Sequence, residues 1–232
     1  PADIAELISQ VSREEGAHLF RDLDIETAAE ALSELKPEMQ AEIINSMDME
    51  KAVDIIEEMP PDEAADVLSD LPAEKAKELL EHMEKEEAED IQELLGHPED
   101  TAGGLMTNEF VSAPPGITVL EARERFRQDA EEIDTVYYIY VVDEEERLLG
   151  VISLRDLLLA EPALPLCEVM ERKLKTVTPE VDEMEVAGIF SKYNLVSLPV
   201  LDCEGVLIGI VTIDDIIDRI LPPAAKRKRR RV

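Results

Sequence analysis

From residue 24 to about residue 95 the apolar positions fall on an unbroken 12-residue period. The last apolar position of each unit is Leu35, Met47, Met59, Leu71, Met83 and Leu95, and seven residues earlier stand Ala28, Gln40, Ala52, Ala64, Ala76 and Ala88. Between them lie Ala31/Leu32, Ile43/Ile44, Ile55/Ile56, Val67/Leu68, Leu79/Leu80 and Ile91/Gln92. Each unit thus presents an i, i+3, i+4, i+7 stripe, the signature of one short amphipathic helix. A single continuous helix is excluded, because twelve residues at roughly 100° each set successive stripes about 120° out of phase. Breaks are expected at Pro37, Pro61 and Pro72, and Glu38, Glu50, Asp62, Glu74 and Glu86 fill the following first turns, where negative charge favours the positive helix end. Helices of about eight or nine residues do not stand alone in water. The pattern therefore predicts a stacked α-superhelix whose units bury one another.

Beyond residue 100 the period changes. Leu149-Gly150-Val151-Ile152-Ser153-Leu154-Arg155-Asp156 returns 59 residues later as Ile208-Gly209-Ile210-Val211-Thr212-Ile213-Asp214-Asp215, with Asp143 and Asp202 at the same offset. In each copy a β-branched run (Tyr138 to Val142; Val196 to Leu201) meets an Asp-containing turn, a second strand, and a Ser/Thr-x-x-Asp sequence that opens an apolar helix. The fold class predicted is α+β: an N-terminal all-α superhelix of short helices, then a duplicated mixed unit. Between the two lies Asp100-Thr101-Ala102-Gly103-Gly104-Leu105-Met106-Thr107, whose paired glycines suit either a hinge or a ligand-facing turn.

Composition adds a constraint. The formal charge is −32 over 232 residues, although six basic residues crowd into Lys226 to Arg231, so the remainder is more acidic still. Such a body repels nucleic acid and anionic lipid. With 45% hydrophobic residues it is a folded chain that must live with self-repulsion, which divalent cations relieve. The basic tail, following Leu221-Pro222-Pro223, reads as an expression-derived extension or a juxtamembrane remnant. No apolar run is long enough to span a bilayer. Cys167 and Cys203 lack metal or redox spacing, and His18, His82 and His97 are too scattered for a ligand cluster. No GxGxxG, P-loop, nucleophile elbow or zinc pattern occurs, so no enzyme is expected.

On the superhelix, the Asp100 to Thr107 segment and the duplicated unit, residues 20 to 221 resemble the cytosolic portion of MgtE-type magnesium channels. That family joins a helical superhelix to a tandem cystathionine-β-synthase (CBS) pair and then a membrane domain, which this sequence lacks. The resemblance implies a magnesium-sensing region at the cytoplasmic face of the membrane that closes the pore of its own channel domain, with a homodimer formed through the CBS pair. Implied limits are 1–100 for the helical domain, 101–164 and 165–221 for two β-α-β-β-α CBS units, and 222–232 for a basic tail. Alternatives are an adenine-nucleotide-binding CBS module and a structural α-solenoid adaptor.

The resemblance assigns Mg²⁺ to Asp62, Asp66, Gly104, Asp215 and Asp218. Asp62 and Asp66 stand at i, i+4 on one side of a short helix, and Asp215 and Asp218 at i, i+3 beside Asp214. By themselves these spacings also suit helix N-terminal charge. Two acidic positions of the family pattern are Met184 and Asn194 here, with Glu183 and Glu185 adjacent. For ATP, the resemblance points to Tyr138, Ser153, Arg155, Asp156 and a position occupied by Leu195, aromatic in ATP-binding members. In the second copy Asp214 replaces Arg155 and repels phosphate, leaving at most one adenine-nucleotide site.

Overall fold

The computed structural model describes residues 4–5, 7–8, 19–20, 22–129 and 136–220, with the side chains of residues 129 and 218–220 outside that description. His18 and the basic tail therefore lie outside the described residues. The chain divides into two compact units, one ending at Gly96 and the other running from His97 to Ile220, and each is described by itself.

In the first unit the 12-residue period becomes helices α1 (Ile25–Ser33), α2 (Pro37–Ser46), α3 (Met49–Glu57), α4 (Pro61–Ser69), α5 (Ala73–His82) and α6 (Lys85–Leu95). Pro37 and Pro61 occupy first-turn positions, and Pro72 is the cap before α5. Proline is tolerated there because the first-turn N–H groups have no intrahelical acceptor. At two of the three starts that no proline marks, Asp24 and Asp48 accept hydrogen bonds from the backbone N–H of Thr27 (3.0 Å) and Lys51 (3.1 Å). The end of each unit is closed in a repeated way. The N–H groups of Leu35, Met47, Met59 and Leu71 donate to the carbonyls three residues back, and that of Met83 to the carbonyl four back.

Packing follows from the phase shift. Helix α1 packs on α3 and α3 on α5, while α2 packs on α4 and α4 on α6, so each stripe is buried by the helix two further along. Ala28, Ala52 and Ala64 are fully buried at the recurring small position, where close helix approach leaves no room for a longer side chain. Gln40, the polar member of that series, donates from Nε2 to the Leu32 carbonyl (2.9 Å), a further bond to an acceptor that the Leu35 N–H already uses at the end of α1.

The second unit contains two β-α-β-β-α copies. In the first, β1 (Ser112–Ala113) runs parallel to β2 (Tyr138–Val142), which pairs antiparallel with β3 (Leu148–Ser153); α8 (Val119–Asp129) and α9 (Leu154–Leu159) complete it. Ahead of it stands the short α7 (Ala102–Leu105), and α10 (Leu166–Val169) follows. In the second copy, Val177 bridges Val200 in parallel, α11 (Glu183–Tyr193) crosses over, β4 (Ser197–Leu201) pairs with β5 (Leu207–Thr212), and α12 (Ile213–Ile220) closes the unit. The hairpin turns are superimposable in their bonding. Asp143 Oδ1 accepts from the N–H of Glu145 and Arg147, and Asp202 Oδ1 from those of Glu204 and Val206. Both turns need a left-handed residue, which is Glu146 (φ 60°) in one copy and Gly205 (φ 85°) in the other.

The segment leading into each copy lies on the other copy. Thr107 exchanges two 2.9 Å backbone bonds with Ile210, and Glu171 exchanges bonds of 3.0 and 2.8 Å with Val151. A side chain at Gly209 would stand 2.7 Å from Met106 Sδ and 2.9 Å from the Thr107 carbonyl; one at Gly150 would stand 2.7 Å from Met170 Sδ and 2.9 Å from the Glu171 carbonyl. The duplicated glycines are therefore required by this crossing. The Asp100 to Thr107 segment is pinned in the same way, because Ala102 and Gly103 donate to the carbonyls of Val181 (2.7 Å) and Pro179 (2.9 Å), and Glu183 donates to that of Asp100 (3.0 Å). It is a bonded turn and not a free hinge.

Gly150→Ala and Gly209→Ala are each expected to destabilise the chain by about 1–3 kcal/mol through overpacking. Gly188→Ala on the open face of α11, where an added Cβ meets nothing, is expected to stabilise it by about 0.5–1 kcal/mol. Denaturant midpoints of the three variants check this ordering.

Candidate functional site

A cleft of about 670 Å³ opens in the second unit where the two copies meet. Its wall from the first copy carries Tyr138 and Tyr140 of β2, Val151 and Ser153 of β3, and Asp156 of α9; the second copy brings Tyr193, Leu195, Ser197 and Pro199, and the lead-in between them brings Met170, Glu171, Lys173, Leu174 and Lys175. The floor is a buried hydrogen bond of 2.7 Å between Tyr140 Oη and Ser197 Oγ, one residue from each copy. Burial pushes the Tyr140 phenol well above its ordinary range, against the opposing effect of the Ser197 bond. Tyr138 stands edge-on to Tyr140 at 6.4 Å, and its phenol is raised by burial and then by the nearby Asp156 carboxylate.

Ser153 caps α9 by accepting from the Asp156 N–H (3.1 Å), and its hydroxyl donates to Asp156 Oδ2 (2.6 Å). That reciprocal pair fixes an acceptor-only carboxylate at the cleft, able to take the two hydroxyls of a ribose. Of the nucleotide candidates, the structure brings Tyr138, Ser153, Asp156 and Leu195 together. Arg155 is not among them: it is exposed and does not line the cleft. Lys173, Lys175 and Tyr193 were not anticipated from the sequence. The Lys-Leu-Lys alternation ahead of Val177 is the signal that places both ammonium groups on one extended segment.

The candidate metal residues are divided between the units. In the first unit Asp62 occupies the first turn of α4, half-buried, and Asp66 stands one turn on, exposed. In the second unit Asp215 Oδ2 accepts from the Thr212 hydroxyl (2.6 Å) and N–H (3.2 Å), repeating the hydroxyl-to-carboxylate bond of Ser153 and Asp156. Asp214 accepts from the Tyr137 hydroxyl at 3.3 Å. Asp218 lies on α12, and its side chain is outside the described residues. Gly104 has a steric reason to be glycine, since a Cβ there would come within 2.3 Å of the Pro98 carbonyl. Asn194, in place of an acidic residue, adopts the left-handed cap of α11 (φ 52°), a conformation asparagine accepts readily, and Met184 is exposed. Among the described residues, no group of three His, Cys, Asp or Glu is arranged to hold a metal ion.

The model of the MgtE intracellular N domain matches residues 1–100, and that of the CBS domain matches residues 102–162 and 166–222. A crystal structure described as the cytosolic domain of the Mg²⁺ channel MgtE in complex with ATP is 36% identical, superimposes with a TM-score of 0.81, and covers 93% of each chain. The chain belongs to the MgtE family. The soluble part of a magnesium transporter superimposes with a TM-score of 0.87 at 33% identity, covering 93% of this chain and 85% of that one. The magnesium transporter MgtE of Thermus thermophilus is 47% identical over 128 residues, which are 55% of this chain and 28% of that protein. The chain thus spans under a third of the curated MgtE relatives it matches. Among the described residues, no helix is long and apolar enough to cross a membrane.

Because the folded state holds the Tyr140 proton more tightly than the unfolded state, with its ordinary value of 10.0, this contribution to stability is complete below pH ~10 and is lost as the pH rises further. Denaturant midpoints are expected to fall from pH ~8 to ~11, and Tyr140→Phe to reduce that fall.

Proposed function

We propose that this chain is the magnesium-responsive regulatory region of a magnesium channel, at the cytoplasmic face of the membrane, which closes the pore of its own membrane domain when Mg²⁺ is plentiful. The observation that carries the reading is the division of carboxylates between two units, Asp62 and Asp66 on α4 and Asp214 and Asp215 at the start of α12, in a chain of charge −32. Two carboxylates about 4 Å apart repel by roughly 4 kcal/mol at an effective dielectric of 20. A bound Mg²⁺ supplies the positive charge that reverses this, and carboxylate and carbonyl oxygens at a seam, with water, are the donors that this hard cation takes. Asp62, Asp66, Asp215 and Asp218, with the Gly104 carbonyl, are the residues to hold it. The limits 1–100, 101–164 and 165–221 are the domains of this reading, and a homodimer through the CBS pair is its assembly.

A second reading is favoured by the cleft itself: an adenine nucleotide, with its ribose on Asp156 and its base beside Tyr138. The ATP named for the structurally similar MgtE domain supports it. The purely structural solenoid adaptor has no comparable observation behind it.

Small-angle scattering tests the first reading. The radius of gyration is expected to fall on adding Mg²⁺ and to stay at its chelator value in Asp62→Ala and Asp215→Ala; a wild-type chain equally compact in chelator and in Mg²⁺ overturns it. Calorimetry with ATP tests the second, with Asp156→Ala expected to weaken binding about tenfold or more through loss of charge-assisted bonds. Binding unchanged by Asp156→Ala refutes that placement.

A further inference from the structure

We infer that the two copies of the second unit divide their work: α9 is a fixed element, clamped by Arg123, and α12 is the helix that moves when the unit responds. The inference rests on the magnesium-responsive reading for what drives the movement, since α12 carries Asp215 and Asp218. It adds to that reading the element that conveys the response.

Duplication supplies an internal comparison. The two helices start alike, because the hydroxyls of Ser153 and Thr212 each donate a 2.6 Å bond to the carboxylate that follows, Asp156 or Asp215. Their later turns meet different side chains. At the fifth position of α8 stands Arg123, whose Nε and Nη2 donate to the Leu157 carbonyl (3.0 and 2.8 Å) and whose Nη2 also donates to those of Leu158 (3.0 Å) and Ala160 (3.1 Å). The last carbonyls of a helix have no intrahelical donor, and a guanidinium fork serves several at once while its charge suits the negative helix end. The fifth position of α11 is Ala187, which has no side-chain donor to offer α12. Helices α11 and α12 pack together as α8 and α9 do, so the copies differ here in the side chain and not in the neighbour.

The chain beyond α9 is held as well. It returns to the start of α8, where the N–H groups of Val119 and Leu120 donate to the carbonyls of Leu164 (2.9 Å) and Pro162 (3.0 Å). Glu183, first in α11, carries the N–H equivalent to that of Val119, and this donor is already taken by the Asp100 carbonyl (3.0 Å). The segment that enters the unit thus fills, in the second copy, the seat that the chain after α9 fills in the first. A shift of the Asp100 to Gly104 segment acts on α11, and through it on α12 packed against it, whereas α9 is fixed both at its end and in the chain that follows.

The test is hydrogen exchange of the full chain, read by mass spectrometry in chelator and then in Mg²⁺. In chelator the amides of residues 216–219 are expected to exchange about tenfold or more faster than their counterparts at 157–160. Arg123→Ala is expected to speed exchange at 157–160 by about tenfold or more and to leave 216–219 within about twofold of wild type. Arg123→Lys keeps the charge without the fork and is expected to fall between, which preserves the comparison should the alanine variant not fold. Adding Mg²⁺ to the wild-type chain is expected to slow exchange at 216–219 and not at 157–160. Equal protection of the two helices in chelator, an Arg123 effect spread evenly over both, or an equal response of both to Mg²⁺ overturns the inference. A chain in which Mg²⁺ alters exchange nowhere overturns the magnesium reading, and leaves the Arg123 clamp, established in chelator, standing.

Discussion

The reciprocal exchange of lead-in segments is the constraint on which the second unit depends. Thr107 bonds to Ile210 and Glu171 to Val151, so neither copy completes its own sheet edge and each is finished by backbone that belongs to the other. Backbone N–H and C=O groups left open at a buried edge cost more than most side-chain contacts return. The glycines at 150 and 209 answer to the same exchange, because only a residue without a side chain lets the crossing methionine sit flat on the strand. The cleft is a by-product of this arrangement: the lead-in that completes the first sheet also carries Lys173 and Lys175 past its open end.

The first unit obeys a different rule. Twelve residues are a whole number of helix-plus-turn units but not of helical turns, so neighbouring helices cannot share one seam and contact passes to alternate members. A scaffold of this kind is quasi-one-dimensional, with stability gathered from many small interfaces. Carboxylates in the first turns serve the helix ends and at the same time leave the surface strongly negative. Stability and electrostatic tension therefore come from the same residues. Near the end of the superhelix, burial followed by neighbouring negative charge raises the carboxyl groups of Glu87 and Asp90.

Much of this was legible in the sequence because periodicity reports directly on burial. The stacking of short helices followed from the 12-residue stripe, and the Ser/Thr-x-x-Asp caps followed from residue type. What could not be read were contacts set by chain crossing. Gly104 suggested a ligand-facing carbonyl, yet its size is already demanded by Pro98; Asn194 suggested a missing carboxylate, yet its identity suits a left-handed cap. Arg155, named with Asp156 through the family resemblance, is exposed and stands outside the cleft lining, as consecutive residues on a helix point about 100° apart. The residues that line the wall opposite Tyr138 and Asp156 come from 169–175 and 193–199, distant in sequence, and the crossing of the chain brings them there.

The hydrogen bond between Tyr140 and Ser197 joins strands from the two copies at a place closed to solvent. Sliding one copy against the other would break that bond and leave a buried phenol and hydroxyl to find new partners. The duplicated unit is therefore tied along its internal axis by side chains as well as by the exchanged backbone, and a shift of one copy on the other has both sets of bonds to break.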